Sequence, residues 1–241
     1  MNKLDKLNIK IYADGADKAG MFEMNNKNFI QGLTTNPTLM RKAGIVDYEA
    51  FCKDILKTIL VKPISFEVFA DDFLEMEKQA LKISSWGNNV YVKLPITNTK
   101  KEPCYELAKR LSRQNVKLNI TAIMTLKQVE KIIEYLNPNV NSYISIFAGR
   151  IADTGIDPVP LMCSAIKILK DYKNFELIWA SPRELLNIFQ ANDIGCHIIT
   201  LTNDLIQKFP LIGYPLESYS LDTVKMFYKD ALASDYKLNL N

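Results

Sequence analysis

The chain has 241 residues, of which 48% are hydrophobic, and carries a formal net charge of +3 at pH 7. A chain of this length and composition can bury a large core, in one domain or two. The basic residues are dispersed rather than grouped, which disfavours a nucleic-acid-binding protein. No apolar run approaches the roughly 18 residues of a membrane span, and the N-terminus lacks the apolar stretch of a signal peptide. We therefore expect a cytoplasmic protein with no membrane partner.

The cysteines and the single histidine disfavour several chemistries. Cys52, Cys104, Cys163 and Cys196 are widely spaced, without a C-x-x-C pair, which is typical of reduced thiols in a cytoplasmic protein. His197 begins an apolar run, and we expect a structural role for it. With one histidine and no cysteine cluster, a zinc site and a Ser-His-Asp or Cys-His mechanism are disfavoured. We predict neither a metal nor an organic cofactor.

Short β-rich runs alternate with helical patterns along the chain. The predicted strands are residues 9–13, 29–34, 64–69, 90–94, 117–122, 143–147, 176–180 and 197–201. Capping signals open several intervening helices: Asp72 with Glu75, Thr125 with Gln128, Asp157 before Pro158, and Ser181 with Glu184. Eight strands alternating with helices predict an α/β fold, a (β/α)8 TIM barrel. An open doubly wound sheet is disfavoured, since no strand is followed by G-x-G-x-x-G.

The segment after the eighth strand is predicted to leave the barrel. A last amphipathic helix is expected over residues 220–234, where apolar side chains recur at helical spacing. This helix would either cover the barrel or reach a neighbouring subunit. We predict one domain over residues 1–241, with residues 203–241 as its C-terminal helical extension.

Lys93 lies within an otherwise apolar stretch, residues 90–96, on predicted strand four. An ammonium group is costly to bury unless it is paired or neutralised, and burial lowers the pKa of amines in general. A neutral amine is a nucleophile that can form a Schiff base with a carbonyl substrate. The alternative is a lysine that reaches solvent or pairs with a carboxylate, and Lys93 alone does not decide between them.

The other candidate residues follow from the fold, since the site of such a barrel lies at the C-terminal ends of its strands. In chain order the polar residues there, with one aromatic, are Asp14, Asn36, Glu67, Lys93, Asn119, Thr121, Ser145, Phe147, Arg150, Ser181 and Arg183. Each has a structural alternative as a turn, cap or surface residue, and for Glu67 the alternative is a buried ion pair with Lys93. Seven strands that end in inward polar groups are hard to explain as core packing, so we interpret them as a site.

The seventh strand end predicts an anion site. A helix beginning at Ser181 would offer unpaired backbone N–H groups and the positive end of its dipole. Arg150 and Arg183 would add bidentate contacts to a phosphate. The alternative is a plain capping box beside two surface arginines.

Several motifs resemble those of transaldolases, in the same order along the chain. They are GLTTNPTL at 32–39, VKLP at 92–95, LNIT at 118–121, SIFAGRI-x-D at 145–153 and ASPR at 180–183. The resemblance covers residues 8–205 and is strongest to the compact branch of the family, which also contains fructose-6-phosphate aldolases. The chain departs from the family pattern at Gly15, after Asp14, and at Pro182, which replaces an aromatic residue.

The resemblance implies a role for each candidate. Lys93 would attack the ketone of a ketose phosphate, and Asp14 would take the C4 hydroxyl proton as the C3–C4 bond breaks. Glu67 and Thr121 would hold a water that moves protons. The remaining polar residues would bind substrate: Asn36, Asn119 and Ser145 the retained three-carbon enamine, and Arg150, Ser181 and Arg183 the phosphate.

The resemblance also implies transfer of a dihydroxyacetone unit within the pentose phosphate pathway. The donor would be sedoheptulose 7-phosphate or fructose 6-phosphate, and the acceptor glyceraldehyde 3-phosphate or erythrose 4-phosphate. Glu67 and Phe147 match transaldolases, where the aldolases carry glutamine and tyrosine, and Phe147 has no hydroxyl to position water against the enamine. Two other functions stay open: an aldolase that releases dihydroxyacetone, and a non-catalytic sugar-phosphate-binding protein. Because compact relatives form pentamers or decamers, a homo-oligomer is also expected.

Overall fold

The computed structural model describes residues 7–239. Parallel strands β1 to β8 close into a barrel in chain order, with β8 hydrogen-bonded to β1. The strands are β1 Lys10–Asp14, β2 Ile30–Thr34, β3 Ile64–Glu67, β4 Val90–Pro95, β5 Leu118–Ile123, β6 Ser142–Ile146, β7 Phe175–Trp179 and β8 Ile198–Thr202. The predicted (β/α)8 TIM barrel is therefore confirmed, and the predicted strand ends lie within two residues of those observed.

Helices connect the strands and cover the outside of the barrel. In chain order they are α1 Lys18–Asn26, α2 Pro37–Lys42, α3 Tyr48–Leu56, α4 Phe73–Ser84, α5 Tyr105–Arg113, α6 Leu126–Tyr135, α7 Ala148–Asp153, α8 Val159–Leu169, α9 Leu186–Asp193, α10 Asn203–Gln207 and α11 Leu216–Ala233. Two predicted caps are present: Asp72 accepts from the backbone N–H of Glu75, and Thr125 forms a reciprocal capping box with Gln128. Within residues 7–239, no helix is long and apolar enough to cross a membrane.

The predicted helix start at Ser181 is wrong. Ser181 has a φ of 58°, whereas an N-cap residue is extended, and α9 begins only at Leu186. The Asn187 side chain accepts hydrogen bonds from the backbone N–H groups of Arg183 and Glu184. The expected capping box of Ser181 with Glu184 therefore does not form, and no helix N-terminus points at an anion from this position.

The barrel interior below the strand ends is filled by aromatic and aliphatic side chains. The Tyr12 and Tyr143 hydroxyl oxygens lie 2.8 Å apart, and the Tyr91 and Tyr143 rings stack with centroids 4.0 Å apart. Burial raises the pKa of Tyr12 and of Tyr143, so both phenols stay neutral over the physiological range. The site above therefore rests on a packed, uncharged floor.

The cysteines and the histidine take structural positions. Cys52, Cys104 and Cys196 are buried, Cys163 is half-buried, and all four are free thiols. His197 directly precedes β8, and its Nδ1 accepts a hydrogen bond of 3.1 Å from the backbone N–H of Leu177. Burial lowers the pKa of this imidazole, which fits its role as an acceptor.

Candidate functional site

A cavity of about 680 Å³ opens at the C-terminal ends of the strands. All eleven candidate residues line it: Asp14, Asn36, Glu67, Lys93, Asn119, Thr121, Ser145, Phe147, Arg150, Ser181 and Arg183. The barrel thus brings together side chains from seven strand ends that are far apart in sequence. In the part of the chain that the structure describes, no group of three or more His, Cys, Asp and Glu side chains is placed to hold a metal ion.

Lys93 and Glu67 form an ion pair at one side of the cavity. They are register partners on neighbouring parallel strands, so their side chains leave the sheet next to each other. The Lys93 Nζ lies 3.1 Å from the Glu67 Oε2 and donates a hydrogen bond of 2.7 Å to the Thr35 carbonyl. The Lys93 side chain is 8% exposed and the Glu67 side chain 15% exposed. The buried ion pair, which the sequence left as an alternative for Glu67, is present.

Asp14 supplies a second carboxylate at the end of β1. Its Oδ1 accepts a hydrogen bond of 2.8 Å from the Thr34 hydroxyl, and its Oδ2 lies 3.4 Å from the Asn36 Nδ2. Burial raises the pKa of the Asp14 carboxyl above its ordinary value, while the positive charge of Lys93 and the Thr34 hydrogen bond oppose this rise. Asp14 is therefore a stronger base than a surface aspartate, as a proton acceptor requires.

An amide and two hydroxyls form a hydrogen-bonded row across β3, β5 and β6. The Asn119 Nδ2 donates to the Ser65 Oγ at 3.0 Å, and the Ser145 Oγ donates to the Asn119 Oδ1 at 2.6 Å. The row fixes the orientation of the Asn119 amide, since its nitrogen and its oxygen each have a partner. Ser65 was not among the candidates, although it lies two residues before Glu67 and therefore shares its face of the strand.

Strand β5 is irregular where it reaches the cavity. Its register against β6 shifts between Ile120 and Ile123, and Ala122 has a φ of 60°. A non-glycine residue in this left-handed region costs about 1–2 kcal/mol. At the bulge, the Thr121 Oγ1 is buried and has no hydrogen-bond partner among the described residues. A buried hydroxyl of this kind, on a cavity wall, is suited to hold a water molecule or a substrate hydroxyl.

Two arginines reach the cavity from the segments after β6 and β7, two and three strands from Lys93 in the barrel order. The Arg150 guanidinium carbon lies 5.6 Å from the centroid of the Phe147 ring, within cation–π range. The Arg183 guanidinium forms a bidentate pair with Asp153, with 3.0 Å between Nε and Oδ1. Arg183 therefore already has a carboxylate partner, whereas no ion pair of Arg150 occurs within residues 7–239.

The start of α7 approaches the turn after β7 closely. A Cβ atom added at Gly149 would lie 1.6 Å from the Ser181 carbonyl oxygen, so only glycine fits there. The left-handed conformation of Ser181 belongs to the same turn after β7. This contact holds α7, which carries Arg150, against the turn that precedes Arg183.

Strand β8 and the start of α10 contribute residues that the sequence analysis missed. Thr200, Thr202 and Asp204 line the cavity beside β1. The Thr200 Oγ1 lies 2.6 Å from the Thr34 Oγ1, which links β8 to the hydrogen bond on Asp14. Thr200 and Thr202 are two residues apart and share a face, so the parity that singled out Asn119 and Thr121 was also available here.

A closed parallel barrel with polar side chains gathered at its C-terminal strand ends is typical of TIM-barrel enzymes. The fold is also that of the solved structure of a putative phosphonomutase from Burkholderia cenocepacia J2315, with a TM-score of 0.54. That likeness covers 95% of this chain and 97% of the other at 10% sequence identity, so it supports the fold alone.

The transaldolase/fructose-6-phosphate aldolase family profile matches residues 11–239, and the chain belongs to this family. The chain is 31% identical over 210 residues to a probable transaldolase of Dehalococcoides mccartyi, across 86% of this chain and 92% of that one. It is 29% identical over 224 residues to a probable transaldolase of Nitrosopumilus maritimus, across 92% and 94%. A probable transaldolase of Streptococcus equi subsp. zooepidemicus is 31% identical over 217 residues, across 89% and 95%. The resemblance predicted from the motifs is confirmed.

Proposed function

We propose that the protein is a transaldolase, which moves a dihydroxyacetone unit from a ketose phosphate to an aldose phosphate. The observation that carries this proposal is the arrangement of Lys93, Glu67 and Asp14 around one cavity. A buried amine lies 3.1 Å from one carboxylate, and the pKa of the second carboxyl is raised by burial. Family membership supports the same chemistry, and the two named activities of the family share it.

The first chemical step assigned to the site is Schiff-base formation at Lys93. Proton transfer from the Lys93 ammonium to the Glu67 carboxylate, along their contact, gives the neutral amine that attacks the C2 ketone. The carbinolamine then loses water and leaves an iminium ion. We assign the water that carries these protons to Thr121, whose hydroxyl is buried without a partner among the described residues.

Carbon–carbon cleavage is assigned to Asp14. Its carboxylate takes the proton of the C4 hydroxyl, the C3–C4 bond breaks, and its electron pair moves into the iminium to give an enamine. The departing fragment is an aldose phosphate. Transfer reverses these steps: the enamine carbon attacks the aldehyde of the acceptor, and Asp14 returns its proton to the new hydroxyl. Hydrolysis of the Schiff base then releases the product ketose and restores Lys93.

The substrates we propose are sugar phosphates of the pentose phosphate pathway. Donors would be sedoheptulose 7-phosphate and fructose 6-phosphate, and acceptors glyceraldehyde 3-phosphate and erythrose 4-phosphate. Arg150 is the first candidate for the phosphate, since Arg183 is held by Asp153. Asn36, Asn119 and Ser145 would bind the hydroxyls of the retained fragment. We place the reaction in the cytoplasm, where the four free thiols remain reduced.

Transfer rather than release is favoured by Phe147. Its ring lies on the cavity wall beneath the Arg150 guanidinium and offers no hydroxyl to direct a water at the enamine. An enamine kept from protonation survives until the acceptor arrives. A fructose-6-phosphate aldolase activity is the second candidate, because the family contains both activities.

A coupled assay tests the proposal by following glyceraldehyde 3-phosphate release from fructose 6-phosphate, with and without erythrose 4-phosphate. We expect release that depends on the acceptor, and borohydride with fructose 6-phosphate to add one covalent adduct on Lys93. Lys93→Arg, which retains the charge beside Glu67, should lose both signals. Lys127→Arg, an exposed lysine on α6, should keep both. Release without the acceptor would replace transfer by aldolase activity, and an unmodified wild-type mass would exclude both enzymes in favour of a binding protein.

We also propose that the protein forms a homo-oligomer through α11. None of the residues of this helix is buried, although Leu221, Val224, Phe227 and Leu232 are large and apolar. A groove of about 760 Å³ lies beside β1, the start of β2 and the segment from α10 onward. Its apolar residues are Leu7, Ile9, Ile11, Phe29, Ile206, Phe209, Pro210 and Ile212, and its polar ones are Lys27, Gln31 and Gln207. The helix of a second copy of this chain fits such a groove by its apolar face and helical spacing.

A further inference from the structure

Three polar groups stand in a row on three neighbouring strands, next to the cavity. The Thr200 Oγ1 of β8 lies 2.6 Å from the Thr34 Oγ1 of β2, and the Thr34 hydroxyl donates to the Asp14 Oδ1 of β1 at 2.8 Å. Thr34 is 3% exposed and Thr200 7% exposed. Hydroxyls this well buried keep their partners, because bulk water does not compete for them.

We propose that Thr200 is a positioning residue, which acts through Thr34 to aim Asp14 and to leave the Asp14 Oδ2 as the atom that accepts the substrate proton. The proposal rests on the proposed role of Asp14 as the base. It concerns a residue of β8 that has no contact with the reacting atoms in the scheme above.

The direction of the row follows from its chemistry. An ionised carboxylate only accepts hydrogen bonds, so the single hydroxyl hydrogen of Thr34 is committed to Asp14. The contact between the two threonines must then be made by the hydrogen of Thr200, which Thr34 accepts. Both O–H bonds therefore point toward the Asp14 carboxylate, and each strengthens the other.

The direction of these hydrogen bonds makes the two oxygens of the Asp14 carboxylate inequivalent. The Asp14 Oδ1 is occupied by a hydrogen bond of ordinary length, whereas the Oδ2 has only the Asn36 amide at 3.4 Å. That second contact is long for a hydrogen bond. The Oδ2 thus keeps its acceptor capacity for a substrate hydroxyl. Protonation there leaves the threonine row unchanged, so the base returns to its starting state after each transfer.

Charged groups also affect the titration of Asp14, and their effect must be distinguished from that of the hydrogen bonds from Thr34 and Thr200. Lys93 on β4 favours its ionised form and Glu67 on β3 disfavours it. Arg150, Arg183 and Asp204 line the same cavity. Replacing Thr200 by valine changes none of these charges and keeps the shape of the side chain. A change in the titration of Asp14 would therefore report the lost hydroxyl.

The test compares Thr200→Val with Thr200→Ser, Thr34→Val and the double valine variant. We expect Thr200→Val to move the acid limb of the pH profile of the transfer rate to higher pH by about half a unit. At a fixed pH on that limb, the rate should fall about threefold. Thr200→Ser should retain the wild-type limb, and Thr58→Val, at an exposed position, is the matched control. In the Thr34→Val background, Thr200→Val should add no further shift, because its effect passes through Thr34. The proposal would be overturned if Thr200→Val left the acid limb of the pH profile where it is in the wild type. It would also be overturned if Thr200→Val shifted the limb equally in the wild-type and Thr34→Val backgrounds.

A second readout keeps this test separate from the proposed function. The resonance of the Asp14 carboxyl carbon, in protein labelled at aspartate, can be titrated without substrate. The same upward shift in Thr200→Val, absent in the Thr34→Val background, would support the row even if the wild-type protein catalysed no transfer. If Asp14 titrated in Thr200→Val as it does in the wild type, the proposed action of Thr200 through Thr34 would be refuted, even if borohydride trapping on Lys93 succeeded.

Discussion

The burial of Asp14 at the cavity lowers the free energy of unfolding when its carboxyl is ionised. Because burial raises the pKa of its carboxyl, the folded state binds this proton more tightly than the unfolded state does. Between the unfolded value of 3.8 and the raised folded value, the free energy of unfolding therefore falls as the pH rises. Above the folded value the loss is complete. Above its folded pKa, the ionised Asp14 carboxylate is therefore a group that the protein would be more stable without.

Asp14→Asn should therefore raise the melting temperature at neutral pH while lowering transfer by about a hundredfold or more, since the base is lost. The gain in stability should shrink as the pH falls through the folded pKa of Asp14 and vanish below 3.8, where the wild-type carboxyl is also neutral. Thermal unfolding across this range, with Asp171→Asn at an exposed site as control, measures the effect. A variant less stable than wild type at neutral pH would show that the negative charge of Asp14 stabilises the fold.

The candidate residues could be located from the sequence because barrel geometry places strand ends together. Lys93 was recognised as a charge among apolar neighbours, and strand parity then selected the residues beside it. Thr200 escaped because one hydroxyl in an apolar strand is common, and its partner Thr34 is 166 residues away. The pairing of Arg183 with Asp153 joins the turn after β7 to the end of α7, 30 residues earlier, which local sequence does not encode.

At the scale of elements, the bulge in β5 is the feature with the most to test. Ala122 adopts a left-handed conformation directly after Thr121, where the register against β6 shifts. Bulges near active sites re-aim a side chain, and here that side chain is Thr121. The strand was predictable from its apolar alternation, but the bulge was not. Nothing at Ala122, unlike a glycine, signals a positive φ.

Ala122→Val should lower the free energy of unfolding by about 1–3 kcal/mol, because a β-branched residue is strained at positive φ. The strain is relieved by moving the bulge, so transfer should also slow as Thr121 shifts. Ala122→Gly accepts the conformation and should leave both quantities near wild type. Denaturant unfolding and initial rates test this, with Ala50→Val, at an exposed position of α3, as the control. If Ala122→Val and Ala122→Gly had equal effects, the bulge would not be what positions Thr121.

At the scale of the whole molecule, the barrel buries its apolar side chains, whereas α11 leaves its own exposed. Each barrel strand buries a face, and the alternation of β-rich runs with helical patterns was sufficient to predict the eight strands and their order. The last helix was also predicted, but it begins at Leu216, four residues before the expected start at residue 220. Its apolar side chains remain exposed, with Leu221 at 53%, Val224 at 58% and Leu232 at 65%. A sequence pattern identifies an apolar face, but it does not say whether the face packs within the chain or against another.

An exposed apolar face on an 18-residue helix favours association, because burying it removes large side chains from water. We expect light scattering to find an oligomer for the wild-type protein and a smaller species for Leu221→Asp/Leu232→Asp. These side chains are exposed in the single chain, so aspartate there should leave the barrel folded. Ala233→Asp, at an exposed position of the same helix, is the matched control. Phe29→Glu, at the groove, should reproduce the dissociation if the groove receives the helix. A wild-type monomer would refute assembly through α11, and dissociation by the helix variant but not by Phe29→Glu would move the contact to another surface.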